Sequence, residues 1–218
     1  MTVVVCSGFP VPVSRYWREF EGVEISETEL GIPGSGTVRR WLRESPEGFT
    51  FTLMAPKAVS TGGFKTSPEI EQQIKDVGAL CRTMKARGVV FVGVPEFRPN
   101  RPNKSAVKAF VKALPARYPQ AVLDLPEWPY NDLAALAAEH KRVAVAFDPL
   151  HESPDETGDF VYMRMPGPAG HRSRYDDESL QALAEKCRGT SGKTVICCFT
   201  NIDMHANAQR LRALLAEG

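Results

Sequence analysis

The stretch GVEISETELGIPGSGTVRRWLRESPEGFTFTLMAPK, residues 22–57, decides the fold of this chain. It holds two short apolar runs, Gly22–Ser26 and Phe49–Ala55, which are typical of buried strands. Between the runs lies an amphipathic helical pattern. Its apolar face is formed by Val38, Trp41 and Leu42. The stretch therefore predicts a strand, a helix and a second strand.

The same strand–helix unit recurs along the whole chain. Eight short runs are rich in apolar and β-branched residues, and most are continuous rather than alternating, which is typical of parallel strands covered by helices. These runs are Val3–Ser7, Gly22–Ser26, Phe49–Ala55, Val89–Val94, Ala121–Leu125, Val143–Asp148, Phe160–Met165 and Thr194–Asn201.

Helical patterns separate these runs at residues 14–20, 37–44, 68–87, 104–114, 132–141, 177–188 and 204–216. The clearest helix starts with Ser67 as its cap and Pro68 at its first position, and it should end before Gly88. The connection His151–Gly158 is short and broken by proline, so we expect a short or missing helix between strands six and seven.

Eight strands that alternate with helices predict a (β/α)₈ TIM-type barrel, and we expect one domain over residues 1–218. A doubly wound open sheet is the main alternative. It usually carries a glycine-rich G-x-G-x-x-G turn after its first strand, whereas this chain has Ser7-Gly8-Phe9-Pro10 there.

Composition indicates an ordinary cytoplasmic protein. The chain has 218 residues, 43% hydrophobic and 24% charged, with a net charge of +1. This balance gives no global attraction to nucleic acid or anionic membranes. The start of the chain shows neither a signal peptide nor a membrane span. The five cysteines have no zinc-ribbon spacing, so we expect free thiols packed as small hydrophobic groups.

A set of motifs in a fixed order resembles a known family. The motifs are VEIS, TVRRW, PEGFTFTLMAPK, FDP, DFVYMRMPG, YDDESLQAL and CFTN followed by AN. Together they are similar to the YecE-like family, the domain of unknown function numbered 72. The resemblance implies a (β/α)₈ barrel, in agreement with the strand count, and no settled activity.

The chain departs from the family pattern at several polar positions. It has Ser26, Glu27, Thr28, Glu29 and Leu30 where members read N-S-T-F-Y; Met54 and Pro166 replace a lysine and a histidine; and no arginine follows Asp124 in the motif of the fifth strand. The resemblance therefore implies a divergent member. The positions that match the family are Glu24, Asp148, Tyr162, Arg164, Tyr175 and Asn201.

In such a barrel, functional groups lie at the carboxyl ends of the strands. Glu24 and Arg164 stand inside apolar strands, where each charge needs a partner. Three arrangements are open: a structural ion pair, a guanidinium that orients substrate beside a general acid or base, and a pair that faces outward. We take Glu24, Asp148 and Arg164 as candidate catalytic residues. Candidate ligand-binding residues are Lys57, Asp124, Trp128, Tyr162, Tyr175 and Asn201.

Three histidines, His151, His171 and His205, follow strands six, seven and eight. With nearby carboxylates they could form a hydrolase-type metal site, although none has a short ligand spacing, and solvated loop histidines are the favoured interpretation. The sequence shows no cofactor motif. The basic segment 96–104, with Arg172 and Arg174, could attract a phosphate or nucleic acid, although solvated arginines are again favoured.

Three functional hypotheses follow, and the sequence does not decide whether the protein is an enzyme. The first is a hydrolase or lyase that acts on a phosphorylated or sugar-like anion. The second is a non-catalytic barrel that binds an anion or nucleic acid. The third is a scaffold whose polar groups are only structural. The reaction, the ligand and the oligomeric state remain open.

Overall fold

The computed structural model describes residues 1–154, 158–190 and 192–217. Its strands are β1 (Thr2–Cys6), β2 (Gly22–Ile25), β3 (Thr50–Met54), β4 (Val89–Val92), β5 (Ala121–Asp124), β6 (Val143–Phe147), β7 (Phe160–Met165) and β8 (Thr194–Phe199). Its helices are α1 (Val13–Glu19), α2 (Ser35–Glu44), α3 (Lys57–Thr61), α4 (Pro68–Met84), α5 (Arg101–Ala113), α6 (Tyr130–Ala137), α7 (Asp177–Arg188) and α8 (Met204–Ala216). All eight predicted strands are confirmed, with ends that shift by at most two residues.

The strands form one sheet in the order β1-β8-β7-β6-β5-β4-β3-β2. The first and last strands of this order are joined by a parallel bridge between Ser7 and Glu24. At the same point the Gly8 N–H donates to the Glu24 carbonyl oxygen at 2.7 Å. The ends of the sheet therefore meet, and the predicted (β/α)₈ barrel is confirmed.

Helix boundaries were predicted less well than strands. The short helix α3 was missed, as was a 3₁₀ turn at Glu27–Glu29. Helix α4 ends at Met84 rather than at Gly88, because Lys85 adopts a left-handed conformation with φ 52°. Leu42 was expected on a buried face, but it is 39% exposed.

The connection between β6 and β7 contains no helix in residues 148–154 and 158–159. Residues 155–157 of the predicted short connection lie outside the described residues. The cap of α4 is as predicted, since the Ser67 side chain accepts the Ile70 N–H at 3.3 Å and Pro68 begins the helix. The start of α5 lies three residues earlier than expected, because Asn100 accepts the Asn103 N–H at 2.9 Å and caps it there.

The described chain divides into two compact units. The first comprises Met1–Glu24, Glu44–Thr50 and Phe147–Gly218, and the second comprises Ile25–Arg43 and Phe51–Ala146. The single domain over residues 1–218 stays a prediction.

The first unit is built on β7, β8 and β1, which pair in parallel along their full length. Helices α7 and α8 supply the apolar side chains that cover these strands. The buried residues of the two helices include Leu180, Leu183, Ala184, Cys187, Ala208, Leu211 and Leu214. Burial of each of the leucine side chains contributes about 1.5–3 kcal/mol.

The second unit is built on β3, β4, β5 and most of β6, again paired in parallel. Helix α4 buries an apolar stripe that includes Ile74, Val77 and Leu80. An aromatic cluster fills the space between the strands and the loops that follow them. It includes Phe64, Phe91, Phe97, Phe110 and Trp128.

No helix of the described residues combines the length and the apolar character that crossing a membrane requires. The cytoplasmic location stays a prediction.

Position 22 requires glycine because backbone and side-chain atoms of neighbouring strands leave no room for a Cβ atom. A Cβ atom there would lie 2.8 Å from the Thr50 carbonyl oxygen and 2.9 Å from the Cγ1 atoms of Val3 and Val5. Gly22→Ala should lower the free energy of unfolding by about 1–3 kcal/mol, because the strands must move apart.

The matched control is Gly36→Ala in α2, where a Cβ atom would meet no heavy atom within 4 Å. This change should be neutral or stabilise by up to about 1 kcal/mol. Urea unfolding of the two variants measures both effects. Equal effects would show that Gly22 tolerates a side chain.

Candidate functional site

Strand register decides which side chains of the first unit face the same way. Gly22 faces Val3 and Val5. Because side chains alternate along a strand, Ser7 and Glu24, two residues further on, continue that face. Val5 is opposite Cys198, and Cys198 is opposite Arg164. The register therefore gathers a polar group on one face, formed by Ser7, Glu24, Tyr162, Arg164 and Cys198.

Glu24 lies at the centre of this group and has no exposed surface. Its Oε1 atom accepts the Ser7 hydroxyl at 2.6 Å. Its Oε2 atom accepts the Tyr162 hydroxyl at 2.7 Å and the Arg164 Nη1 at 2.5 Å. A buried carboxylate is costly unless it is paired and hydrogen-bonded, and here both oxygens have donors. The Glu24 carboxylate and the Arg164 guanidinium are therefore in direct contact. The sequence required a partner for each charge but did not require that the two pair with each other.

Arg164 differs from Glu24 in that it keeps some contact with solvent. Its side chain is 10% exposed, while that of Glu24 is fully buried. Ser7 is half-buried. Of this group, Arg164 and Ser7 therefore keep some exposed surface, whereas Glu24 has none.

The buried thiols beside this group are not activated nucleophiles. Burial raises the pKa of Cys6 to about 12, and the Tyr16 hydrogen bond offsets this only in part. Burial, and after it the charge of Glu24, also raises the pKa of Cys198. The five cysteines are free and buried, as predicted. The raised pKa values of Cys6 and Cys198 therefore give no support to thiolate chemistry at this group.

Asp148 has different neighbours from Glu24. Its Oδ1 atom accepts the Leu150 N–H at 2.9 Å, and its Oδ2 atom lies 3.8 Å from Nε2 of His151. Among the described residues, Oδ2 has no hydrogen-bond partner although it is buried. Burial raises the pKa of this carboxyl, and the Leu150 N–H and the charges of His151 and Lys186 offset the rise only in part.

Tyr175 and Asn201 hold loops together. The Tyr175 hydroxyl accepts the Gly167 N–H at 2.8 Å, and its ring meets Phe199 edge-on at 5.8 Å. The Asn201 amide donates to the Ser173 carbonyl at 3.0 Å and to Asn207 Oδ1 at 2.9 Å. Both side chains are buried. Their contacts fit a structural role, and ligand binding by either stays a prediction.

Lys57, Asp124 and Trp128 belong to the second unit. Lys57 is exposed at the start of α3, beside a cavity of about 10 Å³ that has room for only one water molecule. Asp124 is half-buried at the end of β5. Trp128 was expected to face a ligand, but it is buried, stacks on Phe97 at 5.6 Å and donates its indole N–H to the Phe97 carbonyl at 2.5 Å. Its polar edge is therefore already occupied.

The three histidines of the metal hypothesis have three separate partners. His151 lies near Asp148, His171 Nδ1 contacts the Thr200 carbonyl at 2.7 Å, and His205 Nε2 contacts Glu19 Oε2 at 2.5 Å. His205 is also in α8 rather than in a loop. Within the described ranges no group of three or more His, Cys, Asp or Glu residues could hold a metal ion. The geometry therefore gives this hypothesis no support.

Part of the predicted basic surface is neutralised by neighbouring carboxylates. Lys104 lies 2.7 Å from Asp132, and Arg174 lies 2.5 Å from Asp203. These cations are exposed, so such pairs contribute at most about 1 kcal/mol each. Attraction of nucleic acid by these loops stays a prediction.

The raised pKa of Asp148 predicts how the stability of the protein changes with pH. The folded protein holds this proton more tightly than the unfolded chain, whose carboxyl has a pKa of about 3.9. Ionisation of Asp148 therefore lowers the free energy of unfolding, and this loss grows as pH rises through the pKa of the folded protein. We expect Asp148→Asn to gain stability relative to the parent protein as pH rises from 4 to 8, measured by urea unfolding.

Asp176→Asn is the control with the opposite sign. Asp176 caps α7, and its hydrogen bonds with Ser179 lower its pKa. Its ionised form therefore stabilises the fold above the unfolded pKa, and this contribution is lost as pH falls. Asp176→Asn should lose stability relative to the parent as pH rises. The same trend in both variants would contradict the assignment of Asp148.

Solved structures of similar fold agree with this architecture. A DUF72 family protein (TM1631) from Thermotoga maritima MSB8 has a TM-score of 0.76 at 17% identity, with 99% of each chain covered. A second DUF72 family protein (EF0366), from Enterococcus faecalis V583, has a TM-score of 0.75 at 19% identity, with 99% of this chain and 98% of that chain covered. A D-tagatose 3-epimerase-like protein has a TM-score of 0.60 at 14% identity, with 99% of this chain and 96% of that chain covered. At these identities the likeness shows the fold alone.

A comparison with curated proteins found no match. The profile of the family described as "Protein of unknown function DUF72" matches residues 12–218, nearly the whole chain. The resemblance seen in the sequence motifs is thereby confirmed. The chain belongs to the DUF72 family.

Proposed function

We propose that this barrel binds a small anionic ligand, phosphorylated or sugar-like, at the carboxyl ends of β1, β2 and β7. The observation that supports this is Arg164, which is fixed by the buried Glu24 and keeps 10% of its side chain exposed. Arginine stays charged at any physiological pH, and its planar donors match phosphate and carboxylate oxygens. The half-buried Ser7 hydroxyl, held by the same carboxylate at 2.6 Å, adds a hydrogen-bonding group of fixed position.

In this proposal Glu24 is a positioning residue. It has no exposed surface, and its two oxygens accept three hydrogen bonds from Ser7, Tyr162 and Arg164. A group so enclosed does not touch a ligand, and its effect passes through the side chains that it orients. The proton transfer expected of Glu24 from the sequence therefore finds no support in its surroundings.

A second candidate function is a hydrolase or lyase that acts on the same ligand. The observation that favours it is Asp148, whose pKa is raised by burial and whose Oδ2 atom has no hydrogen-bond partner among the described residues. A carboxyl of raised pKa is suited to donate a proton to a leaving group. If this is correct, Asp148→Asn abolishes turnover and leaves ligand affinity unchanged.

Calorimetric titration with glucose 6-phosphate, gluconate and glucose tests the anion site. We expect saturable binding of one or both anions and none of the uncharged sugar. Arg164→Lys should weaken anion binding by about tenfold or more, because lysine keeps the charge that Glu24 needs but loses the planar donor array.

Arg174→Lys is the matched control, because Arg174 is 80% exposed and paired with Asp203. It should bind the anions as the parent protein does. Ser7→Ala provides a milder second variant, expected to weaken binding without loss of folding. The proposal fails if glucose binds with the same affinity as the anions. It also fails if Arg164→Lys and Arg174→Lys change the affinity for the anions equally.

A further inference from the structure

Three sulfur-containing side chains meet between the sheet and helix α7 of the first unit. Met163 and Cys197 are opposite each other in β7 and β8, and Cys187 comes from α7. Because side chains alternate along a strand, Met163 and Cys197 lie on the face of the sheet opposite to that of Arg164 and Cys198. This group of three is therefore separate from the Glu24 site. Each member is buried, with at most 2% of its surface exposed.

The three sulfur atoms are linked by hydrogen bonds. The Cys197 thiol donates to the Cys187 sulfur. The Cys187 thiol donates in turn to Sδ of Met163 at 3.9 Å. Met163 and Cys197 are neighbours across the two strands, so their side chains lie side by side on the same face. The three sulfurs therefore form a triangle rather than a row.

The size of this triangle suits a three-coordinate metal ion. An ion that binds three sulfurs in one plane at about 2.3 Å holds them about 4 Å apart. The 3.9 Å between Cys187 Sγ and Met163 Sδ is close to that separation. An ion can therefore replace the two thiol protons with little movement of the heavy atoms.

Two thiols and a thioether favour one kind of ion. Soft sulfur ligands select Cu(I), whereas calcium and magnesium take oxygen ligands. Structural zinc sites usually take four ligands from Cys and His. Among the described residues, no His, Asp or Glu joins the two cysteines to make such a site. The ligand set therefore points to Cu(I).

The surroundings of the three sulfurs are apolar. Val161, Met165, Val195 and Phe199 are the next residues on the same face of β7 and β8, and each is at most 1% exposed. Such a shell keeps water away from a bound ion. Cys187 lies in the last turn of α7, one residue before the helix ends. Helix ends open locally at low cost, so this turn offers a path for the ion.

We propose that Met163, Cys187 and Cys197 bind one Cu(I) ion in a trigonal site between β7, β8 and α7. Both cysteines bind as thiolates, so two protons are released to solvent. The occupied site carries one net negative charge. The charge of Arg188 near Cys187 favours this state, and the charge of Asp148 near Cys197 opposes it. The site is independent of the proposed anion site at Arg164.

Anaerobic titration of the reduced full chain with Cu(I), in competition with bicinchoninate, tests the proposal. We expect one equivalent of Cu(I) to be taken from the competitor. X-ray absorption at the copper edge should show three sulfur neighbours at about 2.3 Å. This second measurement needs only the parent protein, so it remains decisive even if a variant fails to fold.

Met163→Leu and Cys197→Val each replace a ligand with an apolar side chain of similar volume, which buried sites tolerate best. Each should weaken Cu(I) binding by about tenfold or more, since loss of an outer partner of a metal site already has an effect of that size. The matched control is Cys81→Val in α4, which removes a buried thiol of the second unit. It should bind Cu(I) as the parent protein does. Thermal unfolding verifies that the variants fold.

Three results overturn the proposal. The first is the absence of any Cu(I) that withstands bicinchoninate. The second is equal weakening in Cys197→Val and Cys81→Val, which would show binding to cysteines in general. The third is full affinity in Met163→Leu, or a copper ion without three sulfur neighbours, which would remove the thioether from the site.

Discussion

The carboxylate of Glu24 and the guanidinium of Arg164 meet at 2.5 Å in the interior of the first unit, and the rest of the candidate site depends on that contact. Removing both ions from water costs several kcal/mol each, and their attraction offsets this only when the geometry is good and the other donors are satisfied. The hydroxyls of Ser7 and Tyr162 complete the set of donors on Glu24. The arrangement therefore fixes four side chains at once, from β2, from β7 and from the residue that follows β1.

Fixing these side chains has a consequence for function. Glu24 is enclosed, whereas Arg164 and Ser7 keep part of their surface exposed. This separates the residue that carries the negative charge from those that recognise an anion. Asp148, whose pKa is raised by burial, lies in different surroundings and is the better candidate for proton transfer. The likeness in fold to an epimerase-like protein adds nothing about chemistry, because one fold hosts many reactions.

The strands could be predicted from sequence because each is a continuous apolar run, and a charge inside such a run needs a partner. Glu24 and Arg164 can therefore be identified from the sequence alone. Their direct contact could not be predicted, because it depends on how β1, β2, β7 and β8 align in register. The direction in which the Trp128 side chain points could not be predicted either. It depends on packing against Phe97, which lies 31 residues earlier in the sequence. Helix α3 has five residues, too few to show a helical period.

The central claim is that Glu24 and Arg164 act as a coupled pair, and a double-mutant cycle measures that coupling. Urea unfolding of the parent, Glu24→Gln, Arg164→Met and the double variant gives four free energies. Each single change should cost about 3–5 kcal/mol, because it leaves one buried charge without its partner. The double variant should be more stable than the sum of the two losses predicts, with a coupling energy of about 2 kcal/mol or more. Losses that add within about 0.5 kcal/mol would contradict the account.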